Sequence, residues 1–232
     1  LQPVLDAGIE LTIGMGNHDR RENFLEFWPE YADRTPVKGR IVSQVKGVHF
    51  DYIMIDTLDQ PEATDKWITP GTLEGEQREW LAATCKAAKR PFLVLSHHPA
   101  GELGEPGKGC THKSARLFGE LIMGAKKAPT ACCGYIHGHD HQWYLTRSLV
   151  HWSDPRIGLT AALPSTGHWG DIGYVEFRVG PTEAIASLVE KDYWFNDELH
   201  PDERKPEVWK AIVAENQGQY CEFPFARMMR KS

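Results

Sequence analysis

At 232 residues the chain is long enough for one good-sized domain, or one domain with an appendage, around a real hydrophobic core. Hydrophobic residues at 41% and charged residues at 25% exclude a disordered chain, and no stretch approaches the ~20 apolar residues of a membrane span. A net charge of −6 disfavours a nucleic-acid polymer as the main partner, because binding to a phosphate backbone relies on a cationic surface.

In chain order, Gln2 to Ala7 reads as the last turn of a helix stopped by Gly8, and Ile9, Leu11, Ile13 and Met15 then alternate as a strand does. A chain that begins on the tail of a helix implies a strand and loop before it, since βα units run about 30 residues. Residues 41–46 and 48–56 read as a hairpin around Lys46-Gly47. Val48, Phe50, Tyr52 and Met54 lie on one side of it and Ile53 and Ile55 on the other, and the first set calls for a second packed sheet. Pro61 to Gly75 is a turn-rich loop. Leu73, Gln77, Trp80, Leu81, Thr84, Cys85 and Ala88 then fall at helical spacing and lead into Pro91 to Ser96, a continuous apolar run of the fully buried kind.

Gly101 to Gly109 is a glycine-rich loop, a common place for a substrate-contacting lid. Leu117, Phe118, Leu121 and Ile122 make the stripe of a further helix, and Ala131 to Ile136 a further buried strand. Trp143 to Val150, Ile157 to Leu163 and Ile172 to Val179 read as short strands of the second sheet. From 181 onward the composition shifts: a strand-like Ala184 to Val189, a charged stretch, then a helix around Val208, Trp209, Ile212 and Val213. The organisation expected is a domain over residues 1–180 and a C-terminal appendage over 181–232, whose apolar helix face would suit a homodimer. The five cysteines (Cys85, Cys110, Cys132, Cys133, Cys221) are an odd set without paired zinc spacing, which reads as reduced core thiols and favours a reducing, cytoplasmic setting without fixing the localisation.

Chemistry concentrates in three histidine-bearing motifs, Gly16-Asn17-His18-Asp19, His97-His98-Pro99 and Gly138-His139-Asp140-His141, each directly after an apolar run. Open α/β sheets bind ligands beyond the carboxyl ends of their strands, so these loops can converge on one edge. Imidazoles and a side-chain amide oxygen suit divalent Zn, Mn or Fe, and the lack of thiolates argues against a structural zinc. Alternation across His139-x-His141 projects the two rings in different directions, toward two different ions. Each motif alone is modest, since an isolated histidine is more often a packing or surface residue. His98 reads equally as a substrate-facing ring or as a hydrogen-bonded support beside a ligand. His112 and His168 read as packing or exposed residues, and Trp67 and Trp143 as candidate walls for an aromatic substrate.

Together the three motifs resemble the later motifs of the calcineurin-like metallophosphoesterases, and Gly71-x-Leu73 with Gln77-x-x-Trp80-Leu81 is similar to the cyclic-nucleotide and glycerophosphodiesterase branch. The resemblance covers about residues 1–180. It implies an α/β (α+β) fold, a four-layer αββα sandwich, holding two divalent metal ions (Mn, Fe or Zn) and acting on a small phosphoester substrate. Asn17, His97 and His139 would bind the second metal and His141 the first. His18 would donate a proton to the leaving oxygen or hold the phosphate, with Asp19 orienting its ring, and His98 would contact substrate. The implied chemistry is in-line attack on phosphorus by a metal-bound hydroxide.

The family's Asp-x-His and Gly-Asp-x-x-Asp motifs do not occur in this sequence. About 40–60 upstream residues would be expected to restore them. Asp171, in Gly170-Asp171-Ile172-Gly173, resembles the bridging motif only superficially and lies far downstream. Without the bridging carboxylate, one ion held by Asn17, His97 and His139 is the most this sequence is expected to retain. The alternative is a non-catalytic binding or scaffold protein on the same fold. Substrate selectivity is expected to lie in loops 57–72 and 100–112.

Overall fold

The structure, a computed structural model, describes residues 2–58, 71–99, 121, 132–139, 144–146, 159–162, 170–194, 210–211, 214 and 220–224. Three short helices open it: α1 (Gln2–Asp6), α2 (Arg21–Phe27) and α3 (Glu30–Arg34). α2 ends where Trp28 precedes Pro29, since a residue before proline is pushed out of the helical region, and Trp28 sits at φ −130°, ψ 69°. Phe24 packs between Trp28 and Tyr31, its ring 5.1 Å from each, over Met15, Ile41 and Leu58.

The strands among the described residues form two sheets. The first has six strands in the order β1-β2-β3-β4-β6-β5, built from β1 (Ser43–Lys46), β2 (Asp51–Met54), β3 (Phe92–Ser96), β4 (Cys132–His137), β5 (Tyr144–Thr146) and β6 (Leu159–Ala162). Its central pairs β2–β3, β3–β4 and β4–β6 are parallel, and its edge pairs β1–β2 and β5–β6 antiparallel. The second sheet is the antiparallel set β7 (Gly170–Val179), β8 (Glu183–Trp194) and β9 (Tyr220–Pro224).

Alternation along β2 and β3 decides what lies on each face of the first sheet. On one face, Ile53, Ile55, Phe92, Val94 and Tyr135 are buried together with Leu81 of α4 (Gly75–Ala87), with Trp80 and Cys85 packed beside them. On the other, Phe50, Leu93 and Ile136 meet Ala184 and Ala186 of β8, flanked by Tyr52, Leu95, Val175 and Phe177. A helix layer, a mixed sheet and a second sheet are therefore stacked around two apolar seams, a mixed α/β architecture. The second sheet called for by Phe50 and Tyr52 is present.

Several expectations are corrected. Residues 9–15 are not a strand: among the described residues no strand pairs with them, and alternating residues form a strand only when a neighbour takes their backbone groups. The Leu11 carbonyl instead accepts the Tyr31 hydroxyl at 3.1 Å, and of the apolar set Ile9, Leu11, Ile13 and Met15 only Met15 is fully buried. The hairpin loop is longer than Lys46-Gly47, because Lys46 pairs with Asp51 and Gly47 N donates to Phe50 O; Val48, at its tip, is 85% exposed. β5 and β6 extend the first sheet rather than joining the second. Residue 180 lies at the turn of the β7–β8 hairpin, and Ala184 and Ala186 lie in the inter-sheet seam. Of the helix at 117–122 only Leu121 is described, and it packs on the α4-side core. Val208, Trp209, Ile212 and Val213 lie outside the described residues. No helix among the described residues is long and apolar enough to cross a membrane.

Candidate metal centre

Because β2, β3 and β4 are parallel neighbours, their carboxyl ends open on one edge, with Met54 opposite Leu95 and Ser96 opposite His137. The residues just beyond are Thr57, His97 with His98, and His139. The loop before α2 brings Asn17 to the same edge. His97 Nε2 lies 2.7 Å from Asn17 Oδ1 and 3.1 Å from His139 Nδ1. Gly16 makes this approach feasible: a Cβ there would stand 3.0 Å from two atoms of the His97 ring.

This convergence fits a cation better than a hydrogen-bond network. Nε2 of His97 carries at most one proton, which cannot fully serve both contacts, whereas a metal ion satisfies several lone pairs at once. Donors about 2.1 Å from an ion and at right angles to one another stand about 3.0 Å apart, the spacing found here. His97, His98 and His139 form a group that can hold a metal ion, each offering one nitrogen within 4.8 Å of the others. His139 has φ 71°, a left-handed conformation that a non-glycine residue adopts only when its surroundings hold it there.

His98 is 0% exposed, so its ring sits within the cluster rather than on an open surface. Its Nδ1 is 2.9 Å from Thr57 Oγ1, which also contacts Ser96 Oγ at 3.1 Å, and its carbonyl accepts the Tyr135 hydroxyl at 2.6 Å. Burial, reinforced by the neighbouring His97, His139 and His137, lowers its pKa to about 3, so the ring is neutral at physiological pH. The thiols of buried Cys132 and partly buried Cys85 are held protonated: burial pushes Cys132 up to about 12 and raises Cys85 as well, and neither is in a disulfide.

The structure thus brings together Asn17, His97, His98 and His139. His18 and Asp19 are exposed on the Asn17 loop, where Asp19 Oδ2 accepts Gly16 N at 2.7 Å and closes the turn. His141, His112, His168, Trp67 and Trp143 lie outside the described residues, as do 59–70 and 100–112 of the two specificity loops. Asp171 lies in β7 of the second sheet, opposite Tyr193.

Sequence reasoning missed the supports: Thr57 under His98, and the largely buried pair Arg21–Asp56 that ties α2 to the end of β2. Asp56-Thr57 ends the apolar run of β2 on its carboxyl side, which was the available signal. Comparison with protein-family models and with curated proteins found no match for this chain.

Proposed function

We propose that the chain is a metal-dependent phosphoester hydrolase on the αββα sandwich of the calcineurin-like metallophosphoesterases, which its three motifs resemble. Gly71-x-Leu73 and Gln77-x-x-Trp80-Leu81 favour a phosphodiesterase. The observation that carries this reading is the meeting of Asn17 Oδ1, His97 Nε2 and His139 Nδ1, from three separated stretches, at 2.7 and 3.1 Å along one sheet edge.

Nitrogen and oxygen donors without thiolate suit Mn, Fe or Zn. A divalent ion bound there supplies Lewis-acid polarisation of a phosphoryl oxygen and lowers the pKa of a coordinated water. The protein's own groups do the rest. Asn17, His97 and His139 hold the ion. His18, one residue past Asn17 and exposed, is assigned the role of protonating the leaving oxygen or holding the phosphate, while Asp19 fixes the turn that carries it. His141 is assigned to a first metal position in the two-metal arrangement. That position has no Asp-x-His and no bridging aspartate in this sequence, so a single ion is the stoichiometry proposed.

The test measures metal content after dialysis against Mn, Zn or Fe(II), together with hydrolysis of bis-para-nitrophenyl phosphate. One ion per chain is expected, with turnover that is low and vanishes in His139→Ala. A protein that takes up no divalent ion, or hydrolysis unaffected by His139→Ala, would overturn the reading.

A further inference from the structure

The ring of His98 has one nitrogen accounted for and one that is not. Nδ1 faces Thr57 Oγ1 at 2.9 Å, whereas Nε2 is buried and has no hydrogen-bond partner among the described residues. Leaving a buried polar atom unpartnered is costly, so a position that keeps one calls for a cause. The ring is also held from outside, since a Cβ at Gly71 would lie 2.3 Å from its Nδ1. The centroids of His97, His98 and His139 stand 4.9, 5.0 and 5.1 Å apart, a nearly equilateral triangle. One nitrogen from each ring lies within 4.8 Å of the others. Donors about 2.1 Å from a cation stand at most about 4.2 Å apart, so a bound ion would draw these nitrogens slightly inward into one coordination shell.

The hydroxyls favour the tautomer that ligation requires. If Thr57 donated to Nδ1, Nε2 would carry the proton and remain a buried donor without an acceptor, the rarer and costlier kind of orphan. If Thr57 donates to Ser96 Oγ, 3.1 Å away, its lone pairs receive Nδ1–H and the backbone N–H of His98, 3.5 Å away. Nε2 is then a bare lone pair.

We propose that His98 is a cation ligand through Nε2, forming with His97 and His139 a three-imidazole site to which Asn17 adds an oxygen, and that Thr57 is the positioning residue that sets the His98 tautomer. The proposal rests on the hydrolase reading only in needing a cation at His97 and His139. Three imidazoles select a borderline ion such as zinc or cobalt over magnesium or calcium.

Calorimetric titration with zinc, and with cobalt(II) followed by its visible absorption, tests it on the chelator-treated protein. His98→Asn keeps an amide near the Nδ1 position, and so the bond to Thr57, but removes the ligand. It is expected to weaken zinc binding by 100-fold or more, on the order of a lost ligand, and to alter the cobalt spectrum. Thr57→Val should weaken binding about 10- to 100-fold, as loss of a partner that orients a ligating histidine does, and Thr57→Ser should restore it. Long-range proton–nitrogen spectra of the metal-free wild-type protein should show His98 Nε2 unprotonated and shifted when zinc is added. This last measurement decides the matter even where a variant fails to fold. Undiminished zinc affinity in folded His98→Asn, or an Nε2 that carries a proton and ignores zinc, overturns the role of His98 and leaves the hydrolase reading standing. No zinc or cobalt binding by the wild-type protein overturns this site, and no uptake of Mn or Fe(II) either would take the hydrolase reading with it.

Discussion

Arg21 grips Asp56 side-on, with Nε 2.6 Å from Oδ2 and Nη2 2.9 Å from Oδ1. The carboxylate is fully buried and also accepts Ile41 N at 2.9 Å and Leu58 N at 3.1 Å, while Gln77 brackets the Asp56 backbone with two bonds of 2.8 Å. One ion pair thereby clamps the start of α2, just past the Asn17 loop, to the end of β2, where Thr57 supports His98. Removing one partner of a buried pair leaves an uncompensated charge, which costs about 3–5 kcal/mol. Arg21→Ala is expected to lower unfolding free energy by that order in urea titration. Arg21→Lys should recover only part, because an ammonium cannot reproduce the two-pronged contact. A loss below about 1 kcal/mol in Arg21→Ala, the scale of a surface pair, would refute the clamp.

Gly71→Ala should disturb the site without replacing a proposed ligand. Its Cβ would fall 2.3 Å from His98 Nδ1 and 2.9 Å from the Thr57 carbonyl, and neither neighbour is the free end of a flexible side chain. Overpacking of this kind costs about 1–3 kcal/mol. Thermal denaturation should show the loss, and zinc affinity should fall with it. Unchanged stability would mean that the backbone at Gly71 has room to retreat.

Acid should destabilise the metal-free protein through His98. Its folded pKa is lowered to about 3 from 6.5, so between these values the unfolded chain holds a proton that the folded chain does not. Stability therefore falls as pH falls from about 6.5 toward 3, with a slope from this group of up to about 1.4 kcal/mol per pH unit, and is insensitive to it above about pH 7. Urea midpoints in chelator at pH 7.5, 6 and 5 check this, and His98→Asn should flatten the slope. The same slope in His98→Asn would assign the effect to other groups.

The α4 seam should behave as an ordinary close-packed core. Leu81 is 0% exposed among Ile53, Ile55, Phe92 and Val94. Leu81→Ala is expected to cost about 2–5 kcal/mol, with zinc binding retained in the folded fraction. Equilibrium unfolding measures the first, and calorimetry below the transition measures the second.

Much of the site could be read from residue order because its parts stand at strand ends. Pro91 to Ser96 and Ala131 to Ile136 are short apolar runs, and the residues next after a buried parallel strand emerge at the ligand edge. Residue order misleads where apolar alternation lacks a neighbour, as at residues 9–15. It also misleads where pairing partners are remote, as for β5 and β6, whose place beside β4 depends on a ladder between residues 134–137 and 159–162. Alternation reports which side of a strand is apolar and carries no information about which sheet the strand joins.

Taken alone, the sequence determined the local elements and the kinds of donor at their ends, because periodicity and residue chemistry are properties of short stretches. Tertiary structure decided that Asn17 and His97, 80 positions apart, share a 2.7 Å contact. It also decided that His98 turns inward onto Thr57 and that Arg21 meets Asp56. These relations depend on how strands pair and sheets stack, and on which polar groups burial then forces to find one another.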